Sequence, residues 1–375
     1  MILWTAALLC LTSESTAQQQ QQEVRQQKAD SLFLNWDRNQ DNKLTEDELP
    51  PSARRNFARA DVNSDGFISR DEHRRYLNRN RGNGNPGQQA VSDRVRLHAD
   101  IAYANTDNPR QQLDLLLPKK PVSNAPLPVV AFIHGGGWRK GSRQAGTRRV
   151  TRFVETGNYA GVTIGYRLSG EARWPAQIHD CKAAVRWLKG NADRYNIDPG
   201  RICVYGTSAG GHLVAMLGVT GDVKSLEGTL GNHMQQDSRV AAVVDFFGPT
   251  DFLTMNNFPG KIDHNAADSP ESLLIGGAIQ SHKDMAAAAA PMMYITDDDA
   301  PILMMHGTKD PLVPFDQSVQ FHQALMQAGV ECVLVPVTDG GHGFGGPEVD
   351  RRVDHFLEKH LLGKATAVSS QPIRP

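Results

Sequence analysis

The chain has 375 residues, 39% of them hydrophobic and 22% charged, which permits a sizeable core and exceeds the length of one average domain. Its 40 Lys and Arg balance 41 Asp and Glu, for a formal net charge of -1. No whole-chain field exists to gather nucleic acid or an anionic membrane surface, so nucleic acid is set aside as a partner and recognition must be local.

Residues 2–11, Ile-Leu-Trp-Thr-Ala-Ala-Leu-Leu-Cys-Leu, form an apolar run too short to span a bilayer but of the length of a secretory h-region. Ser15, Thr16 and Ala17 are small enough for cleavage, although no Lys or Arg precedes the run. Residues 1–17 are therefore expected to be a signal peptide and the mature protein to be secreted or periplasmic, without stable membrane insertion. Loss of Cys10 leaves Cys181, Cys203 and Cys332, which allow at most one internal disulfide. Cys203 and Cys332 sit in strand-like apolar runs, where cysteine acts as a small hydrophobe, so a cysteine nucleophile is not expected. Residues 18–27 are Gln-rich, have nothing to bury and read as a disordered spacer.

Residues 28–78 read as a small helical module carrying two similar loops. Asp37, Asn39, Asp41, Lys43, Thr45 and Glu48 fall at positions 1, 3, 5, 7, 9 and 12 of a calcium-binding EF-hand loop, and Asp61, Asn63, Asp65, Phe67, Ser69 and Glu72 repeat the pattern. Position 7 contributes only its carbonyl, so Lys43 and Phe67 are compatible with Ca²⁺. Gly66 suits the sharp turn at position 6, and Asn42 tolerates the same left-handed conformation. Leu44 and Ile68 are placed to pair the loops back to back. The loops start 24 residues apart, closer than in an ordinary EF-hand pair, so the module resembles dockerin-like secreted calcium modules. Calcium is expected to be structural or adhesive, with no cofactor needed for catalysis. Residues 79–92, rich in Gly and Asn, read as a flexible linker.

From residue 93 to 363, apolar runs alternate with amphipathic helical patterns. Val95–Tyr103 and Gln112–Leu117 alternate as a leading antiparallel pair. Val129–Ile133, Ala160–Ile164, Ile202–Tyr205, Val240–Phe247, Ile302–Met305 and Cys332–Val337 are apolar on both faces, as strands buried on both sides are. With helices predicted at Ile178–Ala192 and Gln317–Ala328, they point to a mostly parallel, doubly wound α/β sheet preceded by the small all-α module. Residues 364–375 are expected to be a C-terminal tail.

Gly206-Thr207-Ser208-Ala209-Gly210-Gly211 joins the strand Ile202–Tyr205 to a helical pattern. A Ser on so sharp a strand-to-helix turn needs small neighbours, which is the logic of a nucleophile elbow. His134-Gly135-Gly136-Gly137-Trp138 closes an earlier strand, and its glycines let N–H groups face a ligand; with the Ala209 N–H they suit an oxyanion hole, where one donor contributes roughly 3–4 kcal/mol. Serine requires a base, and the base an orienting carboxylate. Asp310 follows the strand Ile302–Met305 and His342 follows Cys332–Val337, giving the order Ser, Asp, His at the carboxyl ends of strands. Asp251, also after a strand, is the competing acid. His134 reads as a brace for the glycine loop, His212 as a helix residue, His179 and Asp180 as packing or surface groups, and Trp138 as a pocket wall or core contact.

Together with Tyr166-Arg167-Leu168, Trp174-Pro175-Ala176-Gln177 leading to Asp180, and Gly341-His342-Gly343-Phe344, these motifs resemble the carboxylesterases related to hormone-sensitive lipase and to bacterial feruloyl and acetyl-xylan esterases. The resemblance spans residues 93–362. It implies an α/β-hydrolase fold, a Ser208–Asp310–His342 triad and an oxyanion hole that includes Gly136 and Gly137. It also implies a small-molecule or carbohydrate-linked acetyl or feruloyl ester as substrate. No large helical cap precedes the glycine loop, and the only candidate lid is the insertion between Pro249 and Ala300. Two other functions use the same residues: an amide hydrolase of peptidase or arylformamidase type, and a calcium-dependent adhesion or anchoring protein with a vestigial hydrolase domain.

Overall fold

The computed structural model describes residues 31, 33–54, 57–61, 65–70, 72–73, 76, 92–258 and 260–374. The expected signal peptide, the Gln-rich spacer, residues 79–91 of the linker and Asn63 lie outside the described residues. The backbone divides into two compact units, residues 1–89 and 90–375. Among the described residues no helix is long and apolar enough to cross a membrane.

In the first unit a two-residue antiparallel ribbon joins β1 (Lys43–Leu44) to β2 (Ile68–Ser69), with Leu44 opposite Ile68. Both side chains are buried and form a small core with Phe33, Leu49 and Ala60. The two loops share a hydrogen-bonding scheme. The Asp37 carboxylate accepts from the Asp41 and Asn42 amides at 3.1 and 3.0 Å, and the Asp61 carboxylate from the Asp65 and Gly66 amides at 3.2 and 3.0 Å. Glu48 accepts from the Thr45 amide and Glu72 from the Ser69 amide, each at 3.0 Å. Asn42 and Gly66 take positive φ, 64° and 86°, at the sharp turn. Among the described residues no group of three or more His, Cys, Asp or Glu side chains is placed to hold a metal ion.

The second unit is built on an eight-stranded sheet. Its strands are β3 (Val95–Ala102), β4 (Gln112–Pro118), β5 (Leu127–Ile133), β6 (Ala160–Ile164), β7 (Ile197–Thr207), β8 (Ala242–Phe246), β9 (Ile302–Gly307) and β10 (Cys332–Val337), in the spatial order β10-β9-β8-β7-β5-β6-β4-β3. The strands β5 to β10 pair in parallel, while β4 is antiparallel to both β3 and β6. Five longer helices cover the sheet: α1 (Thr147–Val154), α2 (Ala176–Gly190), α3 (Ala209–Val219), α4 (Phe315–Ala328) and α5 (Pro347–Leu362).

Successive strand residues point to opposite faces, so each apolar run feeds two cores. Val129, Ala131 and Ile133 of β5 join the core built with α2, α3 and α4, and Val130 and Phe132 join the one built with α1 and α5. This is the doubly wound arrangement that the sequence predicts. Its consequence for chemistry is positional: the loops after β5, β7, β9 and β10 all leave from the carboxyl ends of parallel strands.

The C-terminal tail is anchored at one point. Beyond α5 the chain returns to the exposed edge of β10, where Ile373 bridges Val337, its amide donating to Pro336 O at 3.0 Å and its carbonyl accepting from the Thr338 amide at 2.8 Å. An edge strand offers unpaired N–H and C=O groups, and Ile373 adds a buried side chain to the second core. Val368 and Ile373, separated by Ser, Ser, Gln and Pro, print no periodic signal, which is why sequence alone assigns residues 364–375 to a tail.

Candidate active site

Ser208 sits between β7 and α3 with φ 56° and ψ -123°, a strained conformation for a residue with a side chain. Its amide donates to Phe246 O at 2.8 Å, which ties the turn to β8. The turn closes only because Gly206 and Gly210, two residues to either side, lack Cβ atoms. A Cβ on Gly206 would lie 2.1 Å from Gly210 O, and one on Gly210 would lie 2.2 Å from Ile133 O. The elbow thus projects the hydroxyl at the carboxyl edge of the central strand.

His342, in the loop after β10, places Nε2 2.9 Å from Ser208 Oγ and Nδ1 2.7 Å from Asp310 Oδ2. A carboxylate only accepts, so Nδ1 carries the proton and the Nε2 lone pair faces the hydroxyl. Asp310, after β9, is fixed in turn by the Leu312 and Val313 amides, which donate to Oδ1 at 2.8 and 3.0 Å. His306 Nε2 donates to Val313 O at 2.9 Å and lies 3.3 Å from Asp310 Oδ2. Burial by itself would push the Asp310 carboxyl up. The hydrogen bonds from His306 and His342, the charge of His342 and the Leu312 amide outweigh it and hold the group well below the usual carboxylate range.

Gly136 and Gly137, at φ 120° and 59°, line one cavity of about 980 Å³ together with Ser208, Ala209 and His342. A Cβ on Gly136 would meet Lys140 O at 2.2 Å, so this turn too depends on glycine. Ala209 opens α3, where the first amides have no intrahelical acceptor. The insertion contributes Ile262, Pro270 and Glu271 to the cavity wall, and the loop after β9 adds Leu312 and Val313.

Asp251, the competing acid, is not brought to the site. Its carboxylate accepts from the Leu253 amide at 3.1 Å, and its own amide donates to Gln317. His134 stacks on Tyr166 with ring centroids 4.3 Å apart, and burial lowers its pKa to about 4, so it is a neutral brace beneath the glycine loop. His212 is likewise lowered to about 4 by burial; its Nε2 donates to Ala289 O at 2.6 Å. Trp138 both lines the cavity and packs its ring edge-on against His212 and Phe252. Burial pushes the thiols of Cys181 and Cys203 well up and that of Cys332 up to about 11, and all three are free, so none is an activated nucleophile.

Two features escape sequence reasoning. Asp180, expected to be a packing or surface group, is the buried kind, but sequence does not name its partners: it accepts from the Arg167 amide at 2.8 Å, from Arg167 Nη2 at 2.8 Å and from Gln111 Nε2 at 2.7 Å. The second is the contact of His306 with Asp310; its only sequence signal is a histidine at the end of a strand four residues before the acid.

Comparison with known proteins places this chain in a family. The BD-FAE family matches residues 113–325. Esterase LipC of Mycobacterium tuberculosis is 29% identical over 273 residues, covering 72% of this chain and 61% of that protein, so the chain spans less than two thirds of this relative. Among solved structures, a truncated carbohydrate esterase from gut microbiota is 33% identical with a TM-score of 0.68, covering 74% of this chain and all of that one. A bifunctional GH43-CE protein of Bacteroides eggerthii is 34% identical with a TM-score of 0.64, over 73% of this chain and 36% of that one. With more than half of its length matched and its sheet that of an α/β hydrolase, the chain belongs to the BD-FAE family.

Proposed function

We propose that this chain is a serine carboxylic ester hydrolase acting on small or carbohydrate-linked acetyl or feruloyl esters through an acyl-enzyme. The observation that carries the reading is the unbroken hydrogen-bonded series Ser208, His342, Asp310 opening onto a cavity lined by Gly136, Gly137 and Ala209. Ser208 Oγ attacks the ester carbonyl as its proton passes to His342 Nε2, and Asp310 steadies the imidazolium so formed. The amides of Gly136, Gly137 and Ala209 receive the negative charge that develops on the carbonyl oxygen. His342 returns the proton to the departing alcohol, and water then repeats the sequence to release the acid. The names of the carbohydrate esterases of similar structure support the carbohydrate-linked substrate.

The same proposal extends to the first unit, which we read as a paired EF-hand-like calcium module of an exported protein. The donor types support it: Asp37, Asn39, Asp41, Thr45 and Glu48, and Asp61, Asn63, Asp65, Ser69 and Glu72, offer side-chain oxygens only, with the carbonyls of Lys43 and Phe67. The turn geometry at Asn42 and Gly66 and the ribbon between β1 and β2 fit two such loops. Calcium would hold the module together and takes no part in ester cleavage.

The deciding experiment is covalent labelling with a fluorophosphonate, paired with turnover of acetyl, feruloyl and short aryl esters. Wild type should label and turn over at least one ester, and Ser208→Ala should do neither. A folded wild type that resists labelling, or a Ser208→Ala variant that keeps turnover, would overturn the assignment.

A further inference from the structure

The mouth of the cavity carries charge that ester cleavage alone does not require. Arg139, Lys140 and Arg149 line the same cavity as Ser208, and Arg139 also lines an adjoining pocket of about 450 Å³ that it shares with Arg173. None of these four cations pairs with a carboxylate among the described residues, whereas Arg143, Arg167 and Arg186 in the body of the unit are each paired. Among the described residues the cavity wall carries one carboxylate, Glu271, which is buried and already held by His264 Nδ1 at 3.0 Å, and no acidic residue lines the adjoining pocket.

One of these guanidinium groups is hydrogen-bonded in place, and a second lies close against backbone. Arg149 Nη1 donates to the Tyr205 hydroxyl at 3.0 Å, and its guanidinium lies 5.7 Å from the Phe132 ring centroid and 5.8 Å from that of Tyr205. Arg173 is packed against the backbone of the insertion so closely that a Cβ on Gly276 would fall 2.4 Å from its Cδ. A guanidinium already positioned loses less freedom on meeting a planar anion, and a cleft lined by one sign of charge concentrates ligands of the other sign.

We propose that the preferred substrate is an anionic ester, one whose acyl or alcohol portion carries a carboxylate that Arg139, Lys140, Arg149 and Arg173 receive. This rests on the reading of Ser208 as nucleophile and narrows its substrate class; among carbohydrate esters it selects acylated acidic saccharides. Hydrolysis is unchanged chemically: the anion is bound through charge-assisted hydrogen bonds and takes no part in bond making.

The test uses the full chain and two matched pairs of substrates. On the acyl side, the para-nitrophenyl ester of pentanoic acid is compared with the para-nitrophenyl monoester of glutaric acid. On the alcohol side, acetylated glucose is compared with acetylated glucuronic acid. In one pair kcat/KM should favour the charged member by roughly tenfold at low salt and by less as salt rises, and the responding pair tells which portion carries the anion. The ratio should collapse toward unity in Arg139→Gln with Arg149→Gln and survive in part in Arg149→Lys. Equal rates within both pairs, or a preference untouched by the double variant, would overturn the proposal while leaving ester hydrolysis intact. If no ester turns over and Ser208 does not label, the hydrolase reading fails instead. Calorimetric titration of glutarate and glucuronate then decides the charge proposal: binding lost in the double variant sustains it, and no binding to wild type ends it.

Discussion

Asp310 meets two imidazoles, and Asp310→Asn separates its charge from its shape. The amide would donate to His342 Nδ1, move the ring proton to Nε2 and remove the lone pair that faces Ser208. With the geometry kept, kcat should fall about 10⁴-fold with little change in KM, measured on a short aryl ester. A loss below tenfold would mean that Asp310 does not set the tautomer. A second residue tests the ground beneath the elbow. Asp245 is fully buried; its Oδ1 accepts from the Gly248 amide at 2.9 Å, its Oδ2 has no hydrogen-bond partner among the described residues, and burial raises its pKa to about 7. The folded state therefore holds a proton that the unfolded chain has lost between the ordinary carboxylate range and about pH 7. Stability from this group is full below that range, declines as pH rises through it and stays low above the folded value. Asp245→Asn cannot ionise, so it should be more stable than wild type at pH 8, by on the order of 4 kcal/mol at most, with a smaller difference near pH 5. Urea midpoints at the two pH values measure this, and parallel pH profiles for the two proteins would refute it. The triad was legible because each member follows a strand that is apolar on both faces. Asp245 was not, since nothing in Val243-Val244-Asp245-Phe246 says that its carboxyl finds one partner instead of two.

At the scale of elements, what sequence made plain is what local pattern encodes. The run Val129–Ile133 has no polar residue to expose, and the observed β5 begins only two residues earlier. The helix predicted at Gln317–Ala328 begins two residues earlier, at Phe315. What stayed hidden depends on partners distant in the chain. Asp180 lies 69 residues from Gln111, and the Ile373 segment joins β10 across the whole of α5. The insertion between Pro249 and Ala300 stayed hidden for another reason: its helices Pro270–Ile275 and Lys283–Ala288 are too short to print a periodic pattern. Deleting residues 364–375 tests the last strand contact directly. It exposes the Ile373 site, a loss of about 1.5–3 kcal/mol, and frees two main-chain hydrogen bonds of about 1 kcal/mol each. The unfolding midpoint should therefore drop. Because Thr338 leads straight into the His342 loop, kcat should drop with it. A truncated chain with an unchanged urea midpoint would show that the edge contact contributes nothing.

At the scale of the whole molecule, the two units differ in how they can be stable. The second has two extensive apolar cores, while the described core of the first is Phe33, Leu44, Leu49, Ala60 and Ile68 with a few half-buried neighbours. Units of that size seldom hold together on apolar burial alone and commonly rely on a metal or a disulfide. The first unit has no cysteine after residue 10, and its loops crowd Asp37, Asp41 and Glu48, then Asp61, Asp65 and Glu72, into short stretches. Like charges so close repel unless a cation lies among them, and bound calcium would turn that repulsion into attraction. Heating the full chain in millimolar calcium and in chelator should therefore reveal two behaviours. The transition of the first unit should move to higher temperature with calcium, with an apparent affinity of roughly 0.1–1 mM as in extracellular modules, and vanish in Asp37→Ala with Asp61→Ala. The transition of the second unit and the turnover of a neutral ester should stay where they are. Turnover that falls in chelator while the second unit remains folded would tie calcium to catalysis. A first unit whose helical signal and transition ignore calcium altogether would remove the metal from the molecule.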